Sequence, residues 1–255
     1  MHRPRAGMPD VPAAYGLHDV PASGGAMSAG LQAVLFDAGD TLIAYRRPLR
    51  VLLQDFFIER DIIVPRAAIA ETLDAVNPRY RSLVDQVRTV EQEQRMWLEV
   101  ARDFLDLLQP RHRDLYPVLA QWFGQSWRHL KVFRDVRPAV RALRGRGLRL
   151  AVVSNWEPSL EHALERLGLR GYFETVVVSS VEGVWKPDPR LFEIALGRLA
   201  LDGGAAVSVG DHLERDVQAA EAAGVRGILL DRFDDHPAVT PRIRSLAELP
   251  QALFS

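Results

Sequence analysis

The chain predicts an α/β fold: a doubly wound, Rossmann-like parallel sheet with a helical domain inserted into it. Three observations predict it. Short apolar runs end abruptly in polar residues, helical stretches separate those runs, and one long block of helical spacing interrupts the alternation early in the chain.

The first run is "LQAVLFD", from Leu31 to Asp37, apolar throughout and closed by an acid, as expected for a strand buried on both faces. Four more follow much later: "LRLAVVSN" (148–155), "FETVVVSS" (173–180), "AAVSVGD" (205–211) and "RGILLD" (226–231). Between them, "VRPAVRALRGRG" ends in glycines. "PSLEHALERLG" sets Leu160, Ala163, Leu164 and Leu167 on one stripe and stops at Gly168. "PDPRLFEIALGRLA" and "LERDVQAAEAAG" complete the set, the last stopping at Gly224. Short connections and right-handed crossovers turn this alternation into a doubly wound sheet.

Residues 48–130 depart from the pattern. "LRVLLQDFFIER", "AAIAETLDAV", "RMWLEVARDFLDLL" and "LYPVLAQWFGQSW" are helical by spacing, with Trp97, Val100, Ala101, Phe104, Leu105 and Leu108 in three-four rhythm. This block reads as a second domain set between two parts of the α/β core, 31–47 and 131–255. Residues 1–30 carry nine Pro or Gly, no periodicity and no compact apolar signal core. They are expected to form a disordered tail, with Met27 an alternative start.

Composition excludes several classes. The charge is balanced, 32 basic against 33 acidic residues, with no basic stripe to favour nucleic acid or an anionic membrane. There is no cysteine, which removes thiol catalysis, disulfides and Cys-ligated zinc. No apolar run is long enough for a membrane helix. A cytoplasmic protein of unassigned oligomeric state is the expectation.

Ligands of open parallel sheets bind beyond the carboxyl ends of the strands, and the notable polar residues fall there. Asp37 ends the first strand and Ser154 the second. Lys186 follows the third in "GVWKPDP", Asp211 ends the fourth, and Asp216 comes five residues later. Each has a plain structural reading: turn or helix cap for the acids, Ser154 and Asn155, exposed loop lysine for Lys186. Their order at one sheet edge is what points to chemistry.

In that order the segments "VLFDAGDTL", "AVVSN", "GVWKPDP" and "VGDHLERD" resemble the four motifs of the haloacid dehalogenase superfamily, most of whose members are phosphatases. The nearest branch in appearance is that of the haloacid dehalogenase-like hydrolase domain-containing proteins, and block 48–130 sits where a helical cap is often inserted. The resemblance implies a small phosphorylated metabolite as substrate and Asp37 as the nucleophile, forming an aspartyl-phosphate. It implies that Thr41 and Ser154 bind the phosphoryl oxygens, helped by backbone amides near Ala38 and Asn155, and that Lys186 offsets charge. Mg²⁺ would be held by Asp37, the Gly39 carbonyl and Asp211, with Asp216 binding a metal-held water or orienting Lys186. An all-oxygen ligand set suits Mg²⁺ and argues against zinc.

One position departs from the family pattern. Its phosphatases usually carry a second Asp two residues after the nucleophile, as acid and then base; here that position is Gly39, and Asp40 follows. Three accounts compete: Asp40 takes over through a shifted loop, the enzyme works on esters whose leaving group departs unprotonated, or the protein binds phosphate or a partner without efficient turnover. Phosphonoacetaldehyde hydrolases use a cap lysine instead, and block 48–130 contains none. Metal-independent dehalogenases also lack the second acid, but the retained Asp211 favours phosphoryl chemistry. His212 is expected to face outward. Trp156 is assigned equally to the substrate entrance or to packing under the cap. Trp97, Trp122 and Trp127 are expected in the cap core, and Arg46 and Arg47 in a solvated linker.

Overall fold

A computed structural model describes residues 30–254; the expectations for the stretch before Gly30 lie outside the described residues. Six parallel strands form the main sheet: β1 (Ala33–Phe36), β4 (Arg149–Ser154), β5 (Thr175–Val178), β6 (Ala206–Gly210), β7 (Arg226–Leu230) and the short β8 (Arg242–Ile243). Their order is β5-β4-β1-β6-β7-β8, so the first strand of the chain lies inside the sheet between two strands made much later. Side chains alternate as the pleat requires. Val34 and Phe36 point into one apolar cluster, and Ala33 and Leu35 into another on the opposite face. The first face is covered by α5 (Val136–Gly145), α6 (Leu160–Arg166) and α10 (Leu249–Phe254), the second by α8 (Arg190–Leu199) and α9 (Ala219–Ala222). β8 adds a strand beyond the five that apolar runs indicate, because two residues leave no periodic signal. The run 173–180 divides at Val178, and Ser179 opens the short α7 (Ser179–Glu182).

A second pairing, antiparallel, joins β2 (Ile43–Tyr45) to β3 (Leu130–Val132). The helical block, residues 49–124, falls between these two strands. It contains α1 (Leu49–Ile58), α2 (Arg66–Val84), α3 (Val90–Leu108) and α4 (Tyr116–Gly124). α2 runs through Pro78, well past the expected stretch. α3 starts in a capping box, Thr89 accepting from the Gln92 amide and the Gln92 side chain from Thr89. The block packs around its own apolar cluster, with Phe56, Phe57, Phe104 and Leu105 fully buried. Trp97 and Trp122 pack against that cluster, but Trp127 does not. It lies in a 3₁₀ turn after α4, where the helical phase is lost, and packs against the sheet and edge-on to His162. No helix among the described residues is long and apolar enough to cross a membrane.

Candidate active site at the carboxyl edge of the sheet

Parallel pairing in register puts the ends of β1, β4 and β6 side by side, with Phe36 opposite both Val152 and Val209. Asp37, the residue after β1, is anchored by its amide to the Val209 carbonyl at 3.0 Å. Its Oδ1 accepts hydrogen bonds from Ser154 Oγ at 3.0 Å and from Lys186 Nζ at 2.8 Å. The buried Lys186 ammonium also donates to Asp216 Oδ1 at 2.5 Å and to the Val153 carbonyl at 3.0 Å, so its three protons have three acceptors. Burial works against this cation, but the charges of Asp216 and Asp37 outweigh it and hold its pKa above the ordinary lysine value. Burial likewise raises the Asp37 carboxyl; Lys186 pulls it back and Asp216 pushes it up.

Carboxylate oxygens of Asp37, Asp211 and Asp216 lie within 4.8 Å of one another. Three hard oxygen donors, one after β1 and two from the segment after β6, fit a small divalent cation such as Mg²⁺. Asp216 reaches the group from a π-helical turn, residues 213–218, whose carboxylate folds back over the end of β6. The room is made by Gly210: a Cβ there would lie 2.3 Å from Asp216 Cγ. Asp216 Oδ2 accepts from the His212 amide at 2.9 Å. His212 does not face outward as expected. It lines the cavity, and its Nδ1 accepts from the Arg215 amide, capping the turn that positions Asp216. Thr41 Oγ1 is fully buried and has no hydrogen-bond partner among the described residues, an unmet donor four residues after Asp37. Gly39 and Asp40 line the same cavity, Asp40 with a left-handed backbone at φ 52°.

Three consecutive residues after β4 reach three different places. The Asn155 side chain donates to the Lys186 carbonyl and accepts from the Lys186 amide, both at 2.8 Å. The side chain thus holds the lysine loop, whereas the expectation concerned the backbone amide near Asn155, which these bonds do not involve. Trp156 lies against Gly39, where a Cβ would sit 3.3 Å from its Cζ3. Glu157, buried, accepts from the hydroxyl of Tyr80 on α2. Next to it Glu93 of α3 accepts from the Ser159 amide and hydroxyl, and from Trp97 Nε1. The result is a cavity of about 910 Å³ lined by Asp37 and Lys186 from the sheet edge, by Glu157 from the loop after β4, and by Tyr80, Glu93 and Trp97 from the helical block. Arg46 donates to the Leu130 carbonyl and Arg47 pairs with Asp55, and neither lines the cavity.

Arg232, just past β7, also bears on this edge. It donates to the carbonyls of Asp40, at 3.3 Å, and Thr41, at 2.8 Å, while forking onto both oxygens of Asp135. It thus ties down the loop that follows Asp37. Only its place just beyond a strand end could have marked it in the sequence.

Residues 31–224 match the family model described as haloacid dehalogenase-like hydrolase. Over 134 residues the chain is 37% identical to haloacid dehalogenase-like hydrolase domain-containing protein 3 of Danio rerio, covering 51% of this chain and 54% of that protein. It thus spans about half the length of the curated relatives it matches in this group. A longer alignment, 216 residues at 30% identity, relates it to glyceraldehyde 3-phosphate phosphatase of Methanopyrus kandleri and covers 79% of this chain and 84% of that protein. Among solved structures, the HAD phosphatase of Thermococcus onnurineus superposes with a TM-score of 0.59 at 25% identity, over 88% of this chain and 98% of that one.

Proposed function

The chain belongs to the haloacid dehalogenase-like hydrolase family, and from that premise we propose that it is a Mg²⁺-dependent phosphatase of small phosphate monoesters. In this reading the helices of residues 48–130 close over the site as a cap. The observation that carries it is the buried ammonium of Lys186, shared between Asp37 and Asp216 beside a third carboxylate, Asp211. A carboxylate can meet a phosphate dianion only where the combined charge is offset, and this edge concentrates the means.

Asp37 is the nucleophile. Its Oδ1 is held by Ser154 and Lys186, which leaves Oδ2 to attack phosphorus and form the aspartyl-phosphate. Thr41 Oγ1 donates to a phosphoryl oxygen, satisfying its buried hydroxyl. Lys186 spreads its charge over the nucleophile and the incoming phosphate, and Asp216 keeps it in place. Asp37, the Gly39 carbonyl and Asp211 would hold Mg²⁺, with Asp216 beside them. When bound, the ion supplies neutralisation of phosphoryl charge. With glycine at position 39, no carboxyl two residues after Asp37 protonates the leaving group, so esters with weakly basic leaving groups are the preferred substrates. The omitted acid is worth about 10²–10⁴-fold on alkyl esters.

Rapid-quench kinetics with 4-nitrophenyl phosphate test this. A Mg²⁺-dependent burst of 4-nitrophenolate is expected, suppressed by chelation and abolished in Asp37→Asn. Tight phosphate binding without turnover would instead support a binding protein. Halide release from 2-haloacids without metal would support a dehalogenase.

A further inference from the structure

The second acid is absent from the sequence, and the structure also fills part of its space. An added Cβ at Gly39 would lie 3.3 Å from Trp156 Cζ3, closer than side chains ordinarily pack, so a side chain there requires the indole to shift. The backbone that carries the indole is anchored. The Trp156 amide donates to Ser179 Oγ at 3.0 Å, and its carbonyl accepts from Ser179 Oγ at 3.2 Å and the Ser180 amide at 3.3 Å. On either side Asn155 is tied to the Lys186 loop and Glu157 to α2. The ring itself packs against the sheet cluster. A flat apolar wall therefore stands beside the nucleophile where a proton donor would otherwise project. Further rings, Tyr45, Tyr80, Trp97 and Trp127, line the same cavity.

We infer that Trp156 is a specificity-determining residue of this site. Its indole, seated on Gly39, forms the leaving-group wall and selects phosphate esters whose leaving group is planar and unsaturated, aryl or enol, over saturated alkyl esters. This rests on the phosphatase reading. Chemistry and shape then agree: such groups depart as stabilised oxyanions without a donated proton, and their faces stack on an indole.

Phenyl phosphate and cyclohexyl phosphate have similar size and differ in planarity, so binding to Asp37→Asn, with Mg²⁺ present, isolates the wall from the chemistry. Calorimetry should show phenyl phosphate binding several-fold tighter, on the order of 3–10-fold. Trp156→Phe should keep that preference and Trp156→Leu should remove it. Gly39→Ala, which presses a methyl against the ring, should weaken it by a second route. In turnover, Gly39→Asp alone should fail to raise cyclohexyl phosphate hydrolysis, whereas Gly39→Asp with Trp156→Ala should raise it above Trp156→Ala alone. Equal affinity for the two esters, or a preference that survives both Trp156→Leu and Gly39→Ala, would overturn the inference while leaving the phosphatase reading intact. A gain from Gly39→Asp alone would do the same. If unmodified protein binds neither phenyl phosphate nor inorganic phosphate, both readings fall together.

Discussion

At the scale of single residues, the choice of lysine at position 186 is informative. The chain holds 32 Lys and Arg, yet only two of them are lysines, Lys131 and Lys186. The buried position needs donors that diverge tetrahedrally toward Asp37, Asp216 and the Val153 carbonyl. A planar guanidinium cannot point three ways out of its plane, although it carries the same charge. Lys186→Arg should therefore lower kcat by about 10²-fold or more, as losing one aligned donor does elsewhere, while circular dichroism shows the fold retained. A rate within a few-fold of the original would mean that charge alone matters there. Asp37, Ser154, Lys186 and Asp211 could be read from the sequence because each ends an apolar run or stands just beyond one. Asp40 could not be decided, and what the structure adds is its left-handed backbone, with the Asp40 amide bonded to the Ile43 carbonyl.

Between elements, the loop after β4 and helices α2 and α3 meet through two buried acids, Glu157 and Glu93. Burial, with the charge of Glu93, pushes the Glu157 carboxyl up to about 7 from an ordinary 4.5. Burial also raises Glu93, and burial with Glu157 raises the Tyr80 hydroxyl well above the tyrosine range. Tyr45 faces the same group from β2. The sign follows from linkage: the folded protein holds the Glu157 proton more tightly than the unfolded chain does. Stability from this group is complete below about pH 4.5 and is lost as pH rises through about 7. Across that window the loss should reach roughly 1–3 kcal/mol. Glu157→Gln, which keeps an acceptor for Tyr80, should flatten the fall in melting temperature between pH 5 and 8. An unchanged slope would remove Glu157 from the account. This junction was not legible in the sequence. Tyr80 and Glu157 are 77 positions apart and Glu93 and Ser159 are 66 apart, and no period links such partners. The helices could be read for the opposite reason, since a repeating apolar stripe records burial locally.

Over the whole molecule, Arg232 ties the segment after β7 to the loop after β1. It joins the Asp40 and Thr41 carbonyls to Asp135, which also accepts from Ser245 Oγ and the Leu246 amide, each at 2.8 Å. Asp135 is held below the usual carboxylate range, since its hydrogen bonds to Arg232 and Ser245 outweigh burial. Arg232→Met would leave that acid without its counter-charge and the loop after Asp37 without its clamp. Urea unfolding should show a loss of about 3 kcal/mol, and a change below 0.5 kcal/mol, the level of an ordinary surface substitution, would contradict the clamp. The doubly wound sheet was apparent from alternation alone, whereas this bridge of 192 positions was not.

The order of β1 has a consequence for how the protein is made. Ala33 pairs with Arg149 on one side and Ala206 on the other, so the strand bearing Asp37 is synthesised long before either of its neighbours. The helical block emerges in between, with an apolar cluster of its own to organise. A nascent chain at that stage carries Asp37 without Lys186, Asp211 or Asp216. The carboxylate proposed as nucleophile is thus the first part of the site to leave the ribosome and the last to be joined by its partners, which keeps it without its charge partners until the sheet has closed around it.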